Sequence, residues 1–86
     1  MTLSSEILSE FAHRMGEDTE LIYNARHKGV TIIVENMGYG DVYVSTSSSR
    51  KSHHRVQFKG KVAFEDTSKL YLTSSSQPVI SILEII

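Results

Sequence analysis

The chain has 86 residues, no cysteine and a formal net charge of −1. That length makes one domain and leaves a modest core, for which self-association is a natural remedy. The absence of cysteine excludes disulfides and thiolate metal sites, and the near-neutral charge removes any whole-chain argument for nucleic acid or anionic membrane as partner.

Residues 3–15 read as one amphipathic helix. Leu3, Ile7, Leu8, Phe11 and Met15 form a stripe at helical spacing. Ser4 or Ser5 can cap it, Glu6 lies in the first turn, and Gly16 stands where a helix terminator belongs. Five of the first twenty residues are acidic and only Arg14 is basic, which argues against a membrane-surface helix. Residues 1–16 are therefore expected to be a helical arm, packed on its own sheet or on a neighbour, ahead of a β domain over 20–86. No basic-then-apolar leader and no apolar run near eighteen residues is present, so the expected location carries no secretion signal and no spanning helix.

Beyond the linker at 17–19, Leu21-Ile22-Tyr23 starts a short strand and Arg26-His27-Lys28-Gly29 a turn. The strongest fold signal follows. All five residues Val30 to Val34 are β-branched, with Val30, Ile32 and Val34 on one face. Residues 36–41, with Gly38 and Gly40 beside Asn36 and Asp41, interrupt the pattern, and Val42 and Val44 resume it. This stretch predicts a β-hairpin with a bulged or longer loop. Residues 45–52 are serine-rich and predict an exposed loop. Arg50, Lys51, Arg55, Lys59 and Lys61, with His53 and His54, make the middle of the chain basic: a solvated edge, or a patch for an acidic partner. Phe58 is the only aromatic there, too few for a single-strand nucleic acid site.

Val56-Gln57-Phe58, Val62-Ala63-Phe64 and Leu70-Tyr71-Leu72 are further short strands. Glu65-Asp66 is a turn, and 73–77 a second serine-rich loop. Pro78 opens the last strand. That strand is apolar on nearly both faces: Ile80, Ile82 and Ile86 share one side, broken by Glu84, and Val79, Leu83 and Ile85 share the other. A strand apolar on both sides is covered on both sides. Ile80, Ile82, Leu83 and Ile85, with the stripe Leu3, Ile7, Leu8, Phe11 and Met15, are therefore the candidate self-association residues. The expected fold is mainly β, a small antiparallel β-sandwich or flattened barrel of about seven strands with one N-terminal amphipathic helix.

No chemistry-bearing constellation is visible. No Gly-x-Ser-x-Gly elbow, phosphate loop or dinucleotide fingerprint occurs. His53 and His54 are adjacent, so in a strand they face opposite ways and are poorly placed for one metal. No catalytic, cofactor or metal residue is assigned, and the chain is expected not to be an enzyme.

One resemblance adds a setting. The order is an apolar strand ending in Glu35-Asn36, a Gly-rich turn, Val42-Tyr43-Val44-Ser45, a loop, Gly60-Lys61-Val62-Ala63-Phe64, Leu70-Tyr71-Leu72, a serine loop and a last apolar strand closing on Glu84. This order, over roughly two-thirds of the chain, resembles the small β-sandwich structural proteins of tailed bacteriophages, of the capsid-decoration or head-fibre type. The resemblance implies a homo-oligomer, often a trimer, attached to other virion proteins and found on the virion or in the host cytoplasm. It makes residues 3–15 a candidate attachment or trimer-forming element and the loops at 36–41, 45–53 and 73–77 the outward surface. The leading expectation is a non-enzymatic structural or interaction protein that self-associates. The alternatives are a small regulatory module or inhibitor of a host protein, and a nucleic-acid-binding β module using residues 50–61.

Overall fold

A computed structural model describes residues 7–16, 20–46 and 53–86. Eight strands run through them: β1 Ile7–Arg14, β2 Leu21–Asn24, β3 Thr31–Asn36, β4 Val42–Ser45, β5 His54–Val56, β6 Lys61–Phe64, β7 Lys69–Thr73 and β8 Val79–Ile85. They form two four-stranded antiparallel sheets, in the orders β1-β8-β3-β6 and β2-β7-β4-β5.

The core lies between the sheets. Ile32 and Val34 of β3 and Ile80 and Ile82 of β8 face Val42 and Val44 of β4 and Leu70 and Leu72 of β7, all of them without solvent exposure. In β3, β7 and β8 the buried side chains recur at every second residue, as the pleat requires. The architecture is thus a sandwich and not a flattened barrel: the two sheets remain separate.

Three expectations are corrected. The stripe over 3–15 is not a helix in the described residues: Ile7–Arg14 is the edge strand of the first sheet, paired along its length with β8. Leu3 lies outside the described residues. The apolar spacing of Ile7, Leu8, Phe11 and Met15 fits a helix, but Phe11, His13 and Met15 also fall at period two. Seven register pairs with β8 outweigh a local helical preference. A bulge between Ile7 and Ser9 absorbs Leu8, so the two periods coexist.

The second correction concerns residues 30–44. β3 and β4 are not a hairpin; they belong to different sheets, and residues 37–41 carry the chain from one to the other. The third is strand number, eight rather than about seven among the described residues.

Candidate functional site

The register fixes which side chains share the outer face of the first sheet. Ile7 stands beside Ile85; the next row is Glu10, Leu83, Ile33 and Ala63; the third is Ala12, Ser81, Glu35 and Lys61. Ile7, Ile33, Ala63, Leu83 and Ile85 are therefore contiguous. Ala63 is exposed, Ile33, Leu83 and Ile85 are half-buried, and Ile7 is 51% exposed. Glu10 and Arg14 on β1 and Lys61 on β6 stand at the two flanks.

The other self-association candidates go elsewhere. Ile80, Ile82 and Met15 fill the core, and Leu8 and Phe11 pack against it. Of the described residues in the predicted set, Ile7, Leu83 and Ile85 meet on one surface. Ile33 joins them through β3, beside β8, and Ala63 through β6, beside β3, an order that the sequence alone could not give.

The inner face of β8 ends on Glu84, wholly buried. Its carboxylate accepts hydrogen bonds from the Tyr23 hydroxyl, from the Arg26 N–H at 2.8 Å to Oε2 and from the His27 N–H at 2.9 Å to Oε1. The His27 ring Nδ1 lies 3.2 Å from Oε1. Burial alone pushes such a carboxyl up. The Tyr23 hydroxyl, then the two backbone N–H groups and the His27 ring, outweigh it and hold the group down at about 2. Burial, and then the bond to this carboxylate, push Tyr23 up to about 12. A carboxylate so surrounded is a weak base, and its work is to pin the turn between β2 and β3 over the end of the core. Beside that turn lies a cavity of about 480 Å³ lined by Ala25 to Gly29 and Asp66 to Ser68.

At the other end of β3, Asn36 is a second wholly buried polar hub. Its Nδ2 donates to the carbonyls of Gly40 (2.6 Å) and Val56 (3.0 Å), and its Oδ1 accepts from the Gly38 N–H (3.0 Å). Its backbone pairs with the Gly60 carbonyl and the Lys59 N–H. One residue thereby sets both the crossover at 37–41 and the turn at 57–60. Gly38 is required by closeness, since a Cβ there would lie 2.9 Å from Pro78 Cα and from Val79 N.

The two fixed loops present an aromatic tip. Tyr39 stacks on Phe58 with centroids 4.6 Å apart, and the Lys59 ammonium lies 5.4 Å from the Phe58 centroid. Tyr39 is 82% exposed, Met37 55% and Phe58 40%. Tyr39 and Phe58 lie nineteen positions apart in two loops, so no periodicity pairs them.

The predicted basic stretch is not one patch among the described residues. Arg55, on β5, pairs with Asp41 at 2.9 Å. Lys59 belongs to the aromatic tip, and Lys61 lies on the opposite sheet beside Glu35. Arg50 and Lys51 lie outside the described residues. His53 and His54 diverge, the first edge-on to Tyr43 and the second to Phe64. Among the described residues no three His, Asp or Glu side chains gather to hold a metal, and no helix is long and apolar enough to cross a membrane. Comparison with known proteins adds no family to this geometry: no protein-family model matches the chain, and no curated protein does either.

Proposed function

We propose that this chain is a non-enzymatic interaction protein that self-associates through the outer face of the sheet β1-β8-β3-β6. The observation that carries the reading is the contiguous aliphatic cluster Ile7, Ile33, Ala63, Leu83 and Ile85 across one end of that face. Covering it with a second copy removes apolar surface from water, the main driving force of association. Four strands and a seven-residue central strand make a face about 19 Å by 23 Å, roughly 900 Å² over two copies, the size of a weak, reversible contact. The flanks suit a second copy. A two-fold axis along the strands sets β1 of one copy over β6 of the other, bringing Glu10 toward Lys61 and stacking the aliphatic clusters on each other. The resemblance to phage virion proteins gives the surface a setting, the contact between neighbouring copies on a capsid.

Light scattering on a sizing column, over a concentration series, tests this. Leu83→Glu and Ile33→Glu should each yield a monomer with an unchanged circular dichroism spectrum. A wild-type chain that stays monomeric at every concentration, or an oligomer that ignores both substitutions, would refute it.

The aromatic tip favours a second reading, a small module that docks on another protein. Exposed Tyr, Phe and Met on pre-organised loops are what binding hot spots use. Its mark is that Tyr39→Ala and Phe58→Ala abolish capture of a partner while leaving fold and oligomeric state unchanged. Capture that survives both changes removes it.

A further inference from the structure

We propose that the outer face of the second sheet, β2-β7-β4-β5, holds a site for one neutral sugar ring, bound between Tyr43 and Tyr71. A cavity of about 230 Å³ lies there, lined by Tyr43, Ser45, His53, Tyr71 and Thr73. It stands apart from the aliphatic face of the first sheet and does not depend on the reading given for that face.

The register explains the walls. Tyr43 pairs with Thr73 and Ser45 with Tyr71, so the two tyrosines are diagonal neighbours across β4 and β7. Diagonal positions stand about 7–8 Å apart. Both rings border the cavity. His53 meets Tyr43 edge-on at 5.2 Å and forms the rim. The volume lies below the roughly 300–1,000 Å³ of pockets for larger ligands, which leaves space for one ring.

The lining decides the chemistry. Among the described residues it holds no Asp, Glu, Lys or Arg. Arg55, opposite Tyr43 in the register, is paired with Asp41. A phosphate or carboxylate thus meets no uncommitted Lys or Arg among the described residues of the lining. Aromatic faces combined with phenol and threonine hydroxyls suit a ligand that is apolar on its ring faces and hydroxylated around its rim. A pyranose has that form, with C–H groups above and below the ring and hydroxyls at the edge.

The test is titration of ¹⁵N-labelled protein with cellotriose, maltotriose and chitotriose, with sialic acid and adenosine monophosphate as charged controls. At least one neutral sugar should shift the amides of residues 43–45 and 71–73. Tyr43→Ala and Tyr71→Ala should each weaken that binding by about tenfold. Tyr43→Phe and Tyr71→Phe, which keep the rings and the fold, should weaken it less. Leu83→Glu should leave it unchanged. The proposal is overturned if no neutral sugar shifts these amides at millimolar concentration, if the shifts map elsewhere, if a charged control binds the face more tightly, or if the tyrosine variants bind undiminished.

Discussion

Replacing Glu84 by Gln keeps the shape of a wholly buried side chain and removes its charge. In the native protein that charge accepts from Tyr23, Arg26 and His27 together. A glutamine offers one acceptor oxygen and turns an NH2 group toward the same donors. Moving the carboxyl from its ordinary 4.5 to about 2 corresponds to about 3 kcal/mol at 1.36 kcal/mol per unit. The sign follows from linkage. The folded state lowers this acid's pKa, so the contribution is fully present above about pH 4.5 and is lost as the pH falls toward 2. A domain of 86 residues has roughly 4–13 kcal/mol in all, so the loss is a large share. Urea denaturation of both proteins from pH 2 to pH 8 should show a gap of about 3 kcal/mol at neutral pH that closes in acid. In thermal melts at pH 7 it should appear as about 12–24 °C. A variant as stable as wild type at pH 7, or a gap that does not change with pH, would refute the argument.

Further expectations concern the loops and the two faces of β8. Asn36→Ala removes three side-chain hydrogen bonds and should cost about 2–4 kcal/mol in denaturant melts, because it leaves buried backbone groups unpaired. Gly38→Ala should destabilise more than Gly29→Ala: the first meets backbone at 2.9 Å, whereas the second meets open space and bears only a φ of +70°, worth about 1–2 kcal/mol. Ile82→Ala should cost about 2–5 kcal/mol as a core truncation, whereas Leu83→Ala, one residue on, should cost much less in the monomer and act on association. A single-stranded oligonucleotide should show no binding at physiological salt, since the described basic residues Arg55, Lys59 and Lys61 are dispersed over two sheets and a turn; anisotropy that rises with protein at that salt would contradict this.

Period-two alternation made the core strands legible from their residues alone. Ile32 and Val34, Val42 and Val44, Leu70 and Leu72, and Ile80 and Ile82 each mark a face, and each face is buried. The apolar character of both sides of β8 was equally visible; the strand lies between β1 and β3, with its inner face buried and its outer face half-buried. These are local properties, because the pleat ties side-chain direction to sequence position.

Pairing is not local, and there the tertiary structure decided. Nothing in residues 30–44 separates a hairpin from a crossover; β3 pairs with β6 and β8 instead of β4 because the facing sheet needs β4 to close the core. Nothing in residues 7–15 separates a helix from a strand except the long ladder that β8 offers. Glu84 read as a flaw in an apolar face. Its donors lie 57 to 61 residues away in the sequence, and only the folded chain brings them to it. Alternation is written into each strand by its own residues. Partners, outer surfaces and the setting of a buried charge arise only when distant strands meet and exclude water together.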